Sequence, residues 1–163
     1  MNSIIVYYSW MGNTEVVAKE LNKIIGGDLV KVEEIKNRNA GIGFAGAAIS
    51  ALLGLKSKLN SMDFSLKGYD NIFLGGQVWA GHSTPAINSF INKADFSNKN
   101  VYLLLTGADD KVPQKVIDSI KKRVEDRGGR FVDSIFITTQ MNSVISPEAA
   151  REMITTWIDK KLV

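Results

Sequence analysis

The chain has 163 residues, 45% of them hydrophobic, a net charge of +3 and no cysteine. That is enough for one core, so a single domain over residues 1–163 is expected. The composition excludes disulfides, thiolate metal sites and a cysteine nucleophile, and no run approaches the ~20 apolar residues needed to span a bilayer.

The N-terminus enters an apolar stretch at once, with no basic segment and h-region ahead of it, so no signal peptide is expected. Together with the missing cysteines this fits a reducing cytoplasm. Residues 3–8 are short, β-branched and bounded by a turn signal, which predicts a buried strand. Residues 14–25 place Val16, Val17, Leu21, Ile24 and Ile25 at helical spacing, and Gly26-Gly27 stops the helix. Residues 29–35 (LVKVEEI) predict a second, more polar strand near the sheet edge, and residues 71–78 (NIFLGGQV) a third. A helix is expected over 85–91, with Ser83 or Thr84 as its cap and Pro85 at an early position where its missing N–H does no harm. A strand at 101–106, an amphipathic helix at 114–127 closed by Gly128-Gly129, a strand at 130–138 and a helix capped by Ser146 complete the chain. The segment 36–68 is long for one crossover, and a short Ala/Gly-rich helix is placed near 44–53. The densest basic cluster, Lys121-Lys122-Arg123, shares its helix with Glu125 and Asp126 and predicts a solvated face, not a nucleic-acid groove.

Strands alternating with helices imply a parallel sheet covered on both faces. In such a sheet ligands bind beyond the carboxyl ends of the strands, near the point where strand order reverses. Three connections leave strands there, and each has features a plain turn does not need. Ser9-Trp10-Met11-Gly12-Asn13-Thr14 is long enough, and has the glycine, to turn backbone N–H groups toward one anion at a helix N-terminus. It carries no Lys or Arg and lacks both G-K-[ST] and G-x-G-x-x-G, so the anion expected is a terminal monophosphate held by neutral donors. The alternative is an ordinary turn with Asn13 or Thr14 as N-cap. In the second connection Trp79 is either a flat wall for a ring system or a core side chain. The lone histidine, His82, has no carboxylate or cysteine partner in sequence and is taken as a loop residue. In the third, Thr106-Gly107-Ala108-Asp109-Asp110, small residues expose backbone N–H groups, while Asp109 and Asp110 are expected to cap the following helix.

Together the three loops resemble those of flavodoxin-like proteins. Residues 9–14 match the flavodoxin phosphate-loop pattern [ST]-x-[TM]-G-N-T at each specified position, and "YDNIFLGGQVWAGHSTPAINSFI" and "VYLLLTGADD" stand in the places of the second and third flavin loops. The resemblance runs from residue 4 to the C-terminus. It implies an α/β three-layer sandwich with a five-stranded parallel sheet of order 2-1-3-4-5, helices on both faces, and FMN held non-covalently. It further implies that Ser9, Trp10, Gly12, Asn13 and Thr14 hold the phosphate, with Met11 in the same loop. Gln77, Val78, Trp79, Ala80 and Gly81 would line the flavin, and Thr106, Gly107, Ala108 and Asp109 would follow its pyrimidine edge. No catalytic side chain and no metal ligand is implied. A carbonyl near Trp79–Gly81 would face the flavin N5, and the two aspartates would lower the flavin's potential by like-charge repulsion.

Two features depart from the electron-carrying members. Those are commonly acidic and stack a third-loop tyrosine on the flavin; this chain is basic and its third loop has no aromatic. The expected function is an electron carrier between redox partner proteins. The alternative is an FMN-dependent oxidoreductase acting with NAD(P)H on a small quinone-like acceptor, and a third is a regulatory domain that has kept the fold alone. Monomer and homodimer both remain open, as do three roles for residues 44–59: covering the flavin, forming a dimer surface, or closing the core.

Overall fold

A computed structural model of the chain describes residues 2–35 and 57–162. The helix expected near 44–53 lies outside these residues. The elements in chain order are β1 (Ser3–Tyr7), α1 (Asn13–Ile25), β2 (Asp28–Lys31), β3 (Asn71–Trp79), β4 (His82–Ser83), α2 (Pro85–Lys93), β5 (Asn100–Gly107), α3 (Gln114–Glu125), β6 (Arg130–Thr138) and α4 (Pro147–Leu162). The main sheet runs β2-β1-β3-β5-β6, every pair parallel. This is the expected 2-1-3-4-5 order, with the two-residue β4 added as an antiparallel partner of β3.

The strand alternation splits the core in two. Ile4 and Val6 of β1, Ile72 and Leu74 of β3, and Val101, Leu103 and Leu105 of β5 pack with Phe90 and Ile91 of α2 and Ile117 and Ile120 of α3. Their neighbours Ile5, Tyr7, Phe73 and Leu104 face the other way, onto Val17 and Leu21 of α1 and Ala150 and Ile154 of α4. Successive strand side chains point to opposite faces, so one apolar run serves both layers. Each fully buried aliphatic or aromatic side chain contributes about 1.5–3 kcal/mol.

The element ends follow local chemistry. Gly26, at φ 68°, closes α1 and donates its N–H to the Asn22 carbonyl. Ser146 Oγ accepts the Ala149 N–H at the start of α4, as its cap position predicts. Thr84 holds the N-cap position of α2 but makes no side-chain cap; Ser83 Oγ instead donates to Asn88 Oδ1 at 2.6 Å. The second strand is shorter than the sequence suggests. It leaves the sheet after Lys31, and Glu34 bridges antiparallel to Leu59.

Candidate functional site

With β1 and β3 as neighbours, the chain passes from β1 outward to β2 on one side and from β3 outward to β5 on the other. The connections after β1, β3 and β5 therefore meet beyond the carboxyl ends of the strands, at the reversal point of the sheet. They enclose a cleft of about 1340 Å³. Trp10, Met11, Asn13, Gln77, Val78, Trp79, Ala80, Gly81, Thr106, Gly107, Ala108 and Asp109 all line it. Ser9, Gly12 and Thr14, of the same first connection, are not among its lining residues.

The first connection is organised around Gly12, whose φ of 95° is left-handed. Any other residue there would carry backbone strain, and its Cβ would also lie 3.3 Å from Val144 Cγ2. Ser9 Oγ accepts the Gly12 N–H at 3.1 Å and so closes the turn. Neither Asn13 nor Thr14 is the N-cap. Gly12 holds that position with no side-chain cap, and the side chains that would serve are used elsewhere. Asn13 Oδ1 accepts the Ile145 N–H at 2.8 Å, and Thr14 Oγ1 lies 2.8 Å from Thr106 Oγ1 in full burial. The first-turn N–H groups of α1 thus stand without a side-chain cap, at the positive end of the helix.

The same contacts fix the loops to one another. The Trp10 N–H donates to Gln77 Oε1 at 2.9 Å, joining first loop to second. The Thr14–Thr106 pair joins first to third. The Gly107 carbonyl accepts the Thr139 N–H at 2.7 Å, bracing the third loop on the end of β6. A Cβ at Gly107 would meet the Phe136 ring at 3.1 Å and Val78 at 3.5 Å, so a glycine lets three cleft walls close on each other.

Trp79 does not stand exposed at the strand end. It is 8% exposed, with its ring edge-on to Tyr8 at 5.9 Å and to Trp10 at 5.6 Å, yet it still lines the cleft. It is followed by a two-residue hairpin, Ala80-Gly81, with φ of 48° and 75°, which pairs Trp79 with His82. His82 is therefore a hairpin residue of β4, half-buried beside the site. Asp109 and Asp110 do not cap α3, whose N-cap position is Pro113. Asp109 Oδ1 instead accepts the Lys111 N–H, and this bond holds the carboxyl below the usual aspartate range.

Two walls were not foreseen from sequence: residues 111–116 after the third loop, and Phe136 with residues 139–142 beyond it. The available signal was the isolated apolar residue in each polar stretch, since Val112 and Met141 are 61% and 56% exposed at the cleft. No cluster that could hold a metal occurs among the described residues, and none of their helices is long and apolar enough to cross a membrane.

Fold and site together are an open α/β sheet with an uncapped, cation-free helix N-terminus and an aromatic-walled cleft at its reversal point. The flavodoxin family model matches residues 2–160, and the chain belongs to that family. Among solved structures, a flavoprotein of Bacteroides uniformis is 20% identical with a TM-score of 0.74, covering 94% of this chain and 97% of that one. A flavoprotein of Lactobacillus acidophilus in complex with FMN is 20% identical with a TM-score of 0.67, covering 83% and 92%. Oxidised flavodoxin 2 of Bacillus cereus is 20% identical with a TM-score of 0.56, covering 98% and 99%. No curated protein matches the sequence.

Proposed function

We propose that the chain binds FMN in this cleft and works as an electron carrier between redox partner proteins. The observation that carries the reading is the uncapped N-terminus of α1 behind Gly12, opening onto a cleft walled by Trp10, Trp79, Gly107 and Phe136. The phosphate is assigned to the first-turn N–H groups of α1 with the hydroxyl of Ser9, and the ring to the loops after β3 and β5. The flavin supplies the redox chemistry when bound. This chain's residues orient it, keep water from one side, and set the local field through Asp109 and Asp110. Asp109 remains ionised at neutral pH, because the Lys111 N–H favours its charged form. The test is an FMN titration of the purified protein followed by stepwise reduction. Tight binding with two resolved one-electron steps supports the carrier; absence of binding overturns the phosphate-loop reading.

A second reading is favoured by the far wall of the cleft. Val112, Pro113 and Met141 give an apolar surface beyond the three flavin loops, where a planar acceptor such as a quinone could stack. Turnover of NAD(P)H and a quinone by the protein alone, with reduction in a single two-electron step, separates this oxidoreductase from the carrier.

A further inference from the structure

We propose that residues 139–145, between β6 and α4, form a strap across the phosphate end of the cleft, latched by the Asn13 side chain, and that its opening sets how fast a phosphate-bearing ligand enters and leaves. The inference rests on the assignment of the phosphate to the first turn of α1.

The strap runs from the third loop to the first. At its start the Thr139 N–H donates to the Gly107 carbonyl at 2.7 Å. At its end Asn13 Oδ1 accepts the Ile145 N–H at 2.8 Å, and Asn13 Nδ2 donates to the Ser143 carbonyl in a longer bond of 3.4 Å. Between these ties residues 140–144 are exposed, and the Ser143 hydroxyl donates to Gln140 Oε1 within the strap itself. Val144 lies on the first loop, where a Cβ added to Gly12 would meet its Cγ2 at 3.3 Å. Gln140, Met141 and Asn142 line the cleft together with Trp10, Met11 and Asn13.

The Asn13 amide is spent on this connection. It stands at the first position of α1 and is 4% exposed, yet it neither caps that helix nor turns its side chain to the cleft alone. An asparagine adds little to a helix by itself, and here both of its polar atoms bind backbone groups of another loop. Opening the strap would exchange those bonds for water and break few apolar contacts, because Met141 and Val144 are already exposed. Segments with few buried contacts open locally at a fraction of the cost of global unfolding.

Such a gate acts on rates and spares affinity. A strap that closes equally well over the empty and the loaded site favours neither, so its equilibrium cancels from Kd. Entry and exit both wait on the open fraction. A side chain that gripped the phosphate directly would instead slow release and leave entry alone. Asn13 is on this argument a positioning residue that acts through the strap.

The experiment follows FMN entry and release by stopped-flow fluorescence of the full chain, with native-state amide exchange at Ile145 measured on flavin-free protein. Asn13→Ala removes the latch and should raise the entry and release rates together by about 3–10-fold, the effect of losing one net hydrogen bond, with Kd held within about threefold. Exchange at the Ile145 amide should quicken by the same factor. Val144→Gly loosens the strap at an exposed position without touching the first loop, and should move both rates and the exchange in the same direction. If Asn13→Ala does not fold, Val144→Gly decides alone. Faster release with entry unchanged would make Asn13 a phosphate ligand and overturn the gate. Faster amide exchange with unchanged FMN rates would leave the latch structural, and unchanged exchange would remove the latch; either result overturns the proposal. Binding with unaltered rates thus sinks the strap alone, whereas absence of FMN binding sinks the reading on which it rests.

Discussion

The hydroxyls of Thr14 and Thr106 are 0% and 1% exposed and 2.8 Å apart, so they supply one another's hydrogen bond across the junction of α1 and β5. Replacing either by valine keeps the shape and leaves the other hydroxyl buried without its partner. That costs about 1–3 kcal/mol, the desolvation of an unsatisfied polar group. For a chain of this size about 2–4 °C of Tm is lost per kcal/mol, so each single variant should fall by about 2–12 °C. Removing both hydroxyls takes away donor and acceptor together and should be nearly neutral. The double-mutant cycle is read by urea and thermal unfolding of flavin-free protein, because bound ligand would add its own stabilisation. The expected interaction energy is at least about 1 kcal/mol, with the double variant far more stable than the sum of the singles predicts. Additive losses would show that the two hydroxyls do not satisfy each other, and the link between first and third loops would be refuted.

Gly107→Ala puts a Cβ 3.1 Å from the Phe136 ring, and the overpacking should cost about 1–3 kcal/mol in unfolding and weaken FMN binding as the wall shifts. Glu20, 2% exposed, is held below the ordinary glutamate value of 4.5, first by its hydrogen bond to Lys23 and then by that to Arg151 of α4. Its contribution is present above that value and is lost as pH falls through the lower folded value. Glu20→Gln should therefore lose about 1 kcal/mol at neutral pH, since both partners are solvated, and show a flatter stability profile under acid. Asp109→Asn with Asp110→Asn should raise the potential of bound flavin, measured by equilibration with a reference dye; an unchanged potential places both carboxylates away from the ring.

The strands, both helical layers and the loop 9–14 were legible because each rests on local pattern: short β-branched apolar runs in the strands, amphipathic spacing in the helices, one glycine-bearing motif; the strand order came from the family resemblance that the motif carries. The exceptions share a cause. Trp10 with Gln77, Thr14 with Thr106 and Asn13 with Ile145 are separated by 67, 92 and 132 residues. Nothing in the motif announces that Asn13 and Thr14 are spent on these partners and do not cap α1. Asp109 looked like a cap because it precedes a helix, yet the turn into Lys111 takes its carboxylate two residues on. The strand predicted over 29–35 ends at Lys31, and beyond it Glu34 accepts the Tyr8 hydroxyl, a partner 26 residues away that a polar edge-strand pattern conceals.

The cation-free first loop and the basic surface have separable consequences for FMN. If α1 holds the phosphate through N–H groups, the attraction acts within hydrogen-bond distance, where mobile ions do not enter. A phosphate balanced instead by Lys111 or Lys115, both at the cleft, would depend on exposed charges that a Debye length of about 8–10 Å already weakens at moderate salt. The expected outcome is an FMN affinity that changes by less than about threefold as salt is raised through the range where such exposed pairs fade. Lys111→Gln with Lys115→Gln should then leave both affinity and salt slope as they were. A steep slope that these substitutions abolish would move the phosphate from the helix terminus to the opposite wall, and would reverse the direction in which the flavin lies.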